Sequence, residues 1–532
     1  MLAGLDWRSF GLKEKIGQLF MCGFEGTEAD EGILRLIRDY GLGGVIYFRR
    51  NLRNAEQVAA LSARLQKEAR VPLFISIDQE GGMVVRLEEG VTVMPGAMAQ
   101  GAAGDETLTR EAARLAAGEL RQAGINMNFA PCLDVNNNPR NPVIGVRSYG
   151  EDPHLVGRLG TAAMEGYREG GVLPVLKHFP GHGDTAADSH YELPVVPHAP
   201  DRLEQVELVP FRQAIRQGAG AIMTAHVVFP AFEPEGVPAT LSGRILTGLL
   251  RERLGFEGVI VTDCLEMKAI SETIGVARGA VQAIKAGADL VLVSHRIDRQ
   301  TAALEAVYEA VLAGEIPESR IDESVERLWN LKAAGGLFDR AVPEADRKSA
   351  VEISRRLSEK AVTVVKGAAE LPLAADRPVT VIWTEPRVGT EVIEAVPQHW
   401  TLGEALKAEG YRVREVRIGL DPTEEEADKA NKAAEGSSTI LFVSYDAGFS
   451  ARQSGLIRQL AARPEGRFVL IAGRTPYDLL EAPDADVWIC TYENKPAMMD
   501  ALAGVLSGRL RAEACLPITI GEYARGSRSS LG

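Results

Sequence analysis

The chain has 532 residues, more than one hydrophobic core usually organises, so two domains are expected and the larger has room for a complete barrel. With 45% hydrophobic and 25% charged residues and a mean hydropathy of -0.05, the composition excludes a membrane-embedded or disordered class. A net charge of -14 with no run of Lys and Arg argues against nucleic acid or an anionic membrane as partner.

The opening segment MLAGLDWRSFGLKEKIGQLF mixes acidic and basic residues before any apolar run of signal-peptide length, and a cytoplasmic location is expected. No stretch reaches the roughly 18 apolar residues of a membrane span. Cys22, Cys132, Cys264, Cys490 and Cys515 are odd in number and far apart, which fits reduced, buried thiols rather than a disulfide framework.

In chain order, short apolar runs then alternate with helical patterns. The runs are 16–24, 43–48, 72–78, 125–134, 173–179, 221–227, 258–263 and 289–294, eight in all. Between them lie segments such as NAEQVAALSARLQKEA, whose apolar residues recur at helical spacing. Eight such βα units are what closure of a (β/α)8 TIM barrel requires, with a doubly wound open sheet as the alternative. The catalytic barrel is placed at 1–340, a linker and connecting helix at 341–365, and a smaller α/β domain at 366–532. The last holds predicted strands at 378–384, 411–417, 439–445, 467–473 and 486–492, with no concentrated set of His, Asp or Lys.

Polar residues gather at the carboxyl ends of the barrel runs: Asp78, Asp134, Lys177 with His178, His226, Asp263 and Ser294. Singly, each is explained as a helix cap. Together they mark the face where a barrel builds its active site.

Three of the eight histidines, His178, His182 and His190, fall in LKHFPGHGDTAADSH, beside Lys177, Asp184 and Asp188. The Pro and Gly residues of FPGHG end any helix, so this is a loop after the fifth strand. Asp188 and His190, two residues apart, are spaced for a carboxylate to orient an imidazole that gives and takes a proton. His178 and His182 with Asp184 or His190 could supply a metal site, but His-x3-His points strongly to metal only when a helix places both rings on one face. Pro180, Gly181 and Gly183 prevent that, so no metal and no cofactor are expected, and His182 is read as holding the loop's shape. Asp263, ending GVIVTD, is suitably placed for a nucleophilic carboxylate. With a proton donor opposite, it is the minimal equipment for glycoside cleavage through a covalent intermediate.

KHFPGHGDTAADSH, DQEGGMVVRL, GVRSYGEDP and FEGVIVTDCLEM together resemble glycoside hydrolase family 3, and specifically its β-N-acetylglucosaminidase branch, over most of residues 10–340. The resemblance implies that Asp263 is the nucleophile and that His190 with Asp188 is the acid/base dyad. It implies further that Asp78, Arg147, Lys177 and His178 hold the hydroxyls of the sugar next to the cleaved bond, and that the C-terminal region is an α/β sandwich. Met223 and His226, on the sixth strand, are expected to line the cavity, and Glu80 is read equally well as a helix-start carboxylate or a ligand. The expected partner is a small N-acetylglucosamine-containing glycoside, with cell-wall fragments as natural substrates. A β-glucosidase or β-xylosidase of the same family is the nearest alternative. Phosphorolysis also stays open, because a neutral imidazole does not repel an incoming phosphate. Two places depart from the family pattern or stay silent: Met83 stands where DQEGG is often followed by Arg, and the strand-one loop GFEGTEADEG offers no residue for a second sugar.

Overall fold

The computed structural model describes residues 5–186, 193–339, 344–387, 398–464 and 466–529. Its first half is a ring of short parallel strands: β1 (Phe20–Cys22), β2 (Gly44–Tyr47), β3 (Phe74–Ile77), β4 (Met127–Asn128), β5 (Leu173–Pro174), β6 (Leu176–Phe179), β7 (Ala221–Thr224), β8 (Val259–Val261) and β9 (Val291–Val293). β5 and β6 are two parts of the predicted fifth strand, interrupted at Val175. One sheet runs β5-β4-β3-β2-β1-β9 and the other β6-β7-β8. A parallel bridge between Val261 and Leu290 joins β8 to the start of β9, and one between Cys132 and Lys177 joins the strand-four loop to β6. The ring therefore closes as an eight-membered parallel barrel. All eight predicted runs contain a strand, each shorter than its run because the apolar residues continue into the loops.

Parallel strands covered on both faces need near-continuous apolar sequence, and FISI, AIMT, VIV and VLV are buried throughout. Around them pack amphipathic helices such as Ala55–Glu68, Glu106–Gln122 and Pro153–Glu169, with Asn54, Asp105 and Asp152 capping their first turns.

The C-terminal part is a second core on a six-stranded sheet of order β10-β15-β14-β13-β11-β12. Its strands are β10 (Thr363–Lys366), β11 (Val379–Thr384), β12 (Val413–Ile418), β13 (Thr439–Ser444), β14 (Arg467–Ala472) and β15 (Val487–Cys490). The last five match the predicted strands. The sequence pattern did not indicate β10, which pairs antiparallel with β15 at the edge. Helices flank this sheet, giving an α/β sandwich. The helix Arg347–Ala361 precedes it and packs Ala350, Ile353 and Leu357 against Met94, Leu108, Ala112 and Leu115 of the barrel. The five cysteines are unpaired. Among the described residues no helix is long and apolar enough to cross a membrane.

Candidate active site

A cavity of about 570 Å³ opens at the carboxyl ends of the barrel strands. Asp78, Arg147, Lys177, His178, Met223 and Asp263 all line it. Asp188 and His190 lie outside the described residues.

One wall is a continuous chain of charged contacts. Lys177, on β6 and 1% exposed, places Nζ 2.7 Å from Asp78 Oδ1 and 2.7 Å from Glu80 Oε1. Arg147 donates to the same Glu80 through Nη2 at 2.7 Å and Nε at 3.0 Å. Glu80 thus stands between two cations that would otherwise repel each other across a dry wall. Burial pushes its carboxyl up, but Arg147 and Lys177 outweigh burial and hold it well below the usual carboxylate range. For Lys177, burial favours the neutral amine and Asp78 with Glu80 reverses this, so the ammonium is retained. Glu80, read equally in the sequence as a helix-start carboxylate or a ligand, is the hub of the wall. Its place two residues beyond Asp78 at the end of β3 was the available signal.

Asp134 plays the same part for the histidines. Fully buried, it accepts from His178 Nδ1 at 2.7 Å, from the His178 N–H at 3.2 Å and from the His182 N–H at 2.6 Å. Burial raises its carboxyl and His178 more than offsets that, so it stays ionised. With Nδ1 turned to Asp134, His178 presents Nε2 to the cavity side, where Arg147 Nη2 lies 3.5 Å from it. Cys132 Sγ also donates to Asp134, at 3.0 Å. Cys132, Asp134 and His178 bring their donor atoms within 4.8 Å of one another, but Asp134 is occupied by these four hydrogen bonds. The set is complete as a hydrogen-bonded cluster without an ion.

His182 shapes the loop, as its place in FPGHG suggested. Its Nδ1 meets Thr185 Oγ1 at 2.8 Å and its carbonyl accepts from Asn141 Nδ2 at 2.9 Å. Burial, reinforced by His178, lowers its pKa to about 4, so the ring is neutral near pH 7. Gly181 takes a φ of 139°, and Gly183 approaches the chain so closely that a Cβ would stand 1.8 Å from the Val135 carbonyl oxygen. Both explain why this bend is built of glycine. Beyond it, Asp184 pairs with His198, tying the two sides of the segment that carries Asp188 and His190.

Asp263 follows β8, and its Oδ1 accepts the Cys264 N–H at 2.7 Å, which fixes the rotation of the carboxylate. Met223 reaches the cavity from β7. His226, expected beside it, lies just past the end of the same strand. It is buried, with Nδ1 2.7 Å from Thr240 Oγ1 and Nε2 2.9 Å from the Cys264 carbonyl. It braces the segment holding Asp263. Met83 turns away from the cavity and packs on the C-terminal core.

Such a cavity combines charged groups that grip hydroxyls with a carboxylate at a strand end, the equipment for handling a sugar. Comparison with known proteins agrees. Residues 11–331 match the family described as glycosyl hydrolase family 3 N terminal domain. A protein named beta-hexosaminidase A, from Pseudoalteromonas piscicida, is 32% identical over 541 residues, covering 91% of this chain and 90% of that protein. A beta-hexosaminidase from Alkalilimnicola ehrlichii is 39% identical over 295 residues, 54% of this chain and 84% of its own length. Among solved structures, a glycoside hydrolase family 3 beta-N-acetylglucosaminidase from Paenibacillus sp. str. FPU-7 is 52% identical, with a TM-score of 0.94 over 96% of this chain and 99% of that one. A cavity of this chemistry on this barrel, with a family match across the whole of it, establishes that the chain belongs to glycoside hydrolase family 3.

Proposed function

We propose that this protein is a retaining exo-β-N-acetylglucosaminidase that removes terminal N-acetylglucosamine from β-glycosides, with cell-wall fragments as natural substrates. What supports the reading is a single cavity in which Asp263 shares its walls with the ion-paired Asp78, Lys177, Glu80 and Arg147. The relatives named as hexosaminidases point the same way.

In this mechanism the terminal sugar enters with its hydroxyls against Asp78, Lys177, Arg147 and His178. These charges are already paired with one another, so they hold position before the substrate arrives and need little reorganisation. Asp263 attacks the anomeric carbon while His190, protonated and oriented by Asp188, gives its proton to the departing oxygen. Water then attacks the same carbon, its proton passes to His190, and Asp263 leaves. Two inversions give net retention.

Mass spectrometry after reaction with a slow 5-fluoro N-acetylglucosaminyl substrate tests the nucleophile. A sugar on the peptide containing Asp263 supports the reading, and a label elsewhere sinks it. For the dyad, His190→Ala should cost little on aryl glycosides with good leaving groups and about 10²-fold or more on poor ones. Equal losses on both contradict the assignment. Running the reaction in phosphate buffer separates hydrolysis from phosphorolysis, since only the latter yields the sugar 1-phosphate.

A further inference from the structure

The cavity is larger than one pyranose ring fills, and its outer end is built differently from its charged inner wall. There Phe48, following β2, and His295, following β9, lie with ring centroids 5.1 Å apart and planes tilted by 34°. The Arg50 guanidinium sits over the Phe48 ring at 4.5 Å. Arg50 spans the end of β1 to do this, donating to the Phe24 carbonyl at 3.0 Å and to the Ser294 carbonyl at 2.8 Å.

That span exists because a glycine, Gly23, follows β1. A Cβ on Gly23 would stand 2.0 Å from the Ser294 oxygen and 3.4 Å from Arg50 Nη2. Strand one therefore contributes no side chain to the mouth, and residues of its two neighbours meet across the gap. The group is also tied to the reacting segment: Glu266, three residues after Asp263, accepts the His295 N–H at 2.6 Å. Lys268 and Arg86 add cationic donors to the same lining.

A ring slab with hydrogen-bond donors beside it suits a pyranose, whose axial C–H bonds form an apolar face and whose hydroxyls project from the edge. We propose that Phe48 and His295 form the subsite for the aglycone sugar, so that the enzyme is built for substrates in which the released N-acetylglucosamine is joined to a second pyranose. The proposal rests on the glycosidase reading above and names the class of leaving group it serves. The stack of Arg50 beneath Phe48 is the rigid support for that subsite.

The test compares two substrates whose leaving groups are both alkyl alcohols, so that acid assistance is equally needed: N,N′-diacetylchitobiose and methyl β-N-acetylglucosaminide. Full-length wild type, Phe48→Ala, His295→Ala and Phe48→Trp are assayed on both, with thermal melting as the check on folding. Wild type should favour the disaccharide in kcat/KM. Phe48→Ala and His295→Ala should each reduce that preference about tenfold, and Phe48→Trp, which keeps an aromatic face, should retain it to within about threefold. Equal losses on both substrates, or a wild type with no preference, overturn the aglycone subsite while leaving the glycosidase reading intact. A wild type that cleaves neither substrate overturns both. If Phe48→Ala fails to fold, the exposed His295→Ala and the conservative Phe48→Trp carry the comparison.

Discussion

Glu80 touches both cations of the inner wall, and its removal has two separable consequences. Glu80→Gln leaves Lys177 and Arg147 buried with one carboxylate fewer between them, which should cost about 3–5 kcal/mol of stability. It should also lower kcat/KM by about 10²-fold, because both cations lose the anchor that sets their position. Thermal melting and steady-state kinetics on one preparation check the pair of effects. The depressed carboxyls of Glu80 and Asp134 stabilise the fold at pH values above their unfolded pKa, near 4, and that contribution is lost as the pH falls below it. His182, lowered to about 4, adds a loss that begins as the pH drops through 6.5. Glu80 and Asp134 therefore stay ionised, and His182 neutral, across pH 6 to 8. Glu80→Gln should therefore leave the midpoints of any titration of kcat/KM in that window within about 0.5 unit.

At the scale of elements, the strand ends were readable because parallel strands are apolar throughout and their polar residues cluster just beyond. Asp78, Lys177, His178 and Asp263 stand out for that reason. Arg147 has no such signal and was placed through the GVRSYG resemblance, since it comes from a single 3-10 turn in a long loop. His226 is harder to read, because a strand-end histidine looks the same in sequence whether it faces the cavity or braces the neighbouring strand. Its contacts with Thr240 and Cys264, neither adjacent in sequence, carry no local signal. The Phe48 and His295 pair was illegible for a similar reason: its residues are 247 positions apart and the feature that unites them is the missing Cβ of Gly23. The bend in FPGHG is testable directly. Gly183→Ala should force the loop off the Val135 carbonyl and cost about 1–3 kcal/mol or more. Displacing the downstream residues, Asp188 and His190 among them, by even about 1 Å should lower kcat/KM by about 10²-fold on aryl N-acetylglucosaminides.

On the scale of the whole molecule, the C-terminal sandwich supports the barrel's loop after β3 from behind. Glu493 accepts the Gly96 N–H at 2.6 Å, and Lys495 lies 3.2 Å from Glu88, which in turn accepts from Arg49 at the cavity rim. Nothing in the local pattern around Glu493 announced this, because contacts between two separately patterned cores depend on how they dock. Burial pushes the Glu493 carboxyl up to about 7, against the opposing pull of Gly96 and Lys495. The folded state thus binds a proton more tightly than the unfolded chain, and stability falls as the pH rises from about 4.5 to 7. Glu493→Gln keeps an acceptor for Gly96 without the charge. It should stabilise the protein by up to about 3 kcal/mol at pH 8 and by far less at pH 5, as read from melting temperatures at the two values.

Met83 fixes how far this enzyme can be made smaller. It stands where the family often has arginine, and together with Met98, Ala99, Ala102 and Val146 it forms the barrel's half of a greasy seam. A version ending before the helix Arg347–Ala361 would display that seam to water, while a relative matched over only 54% of this chain manages with 84% of its own length in the shared region. Miniaturising this glycosidase is therefore a matter of resurfacing as well as cutting: the bare barrel should aggregate on expression, and Met83→Arg with Val146→Lys should return it to the supernatant.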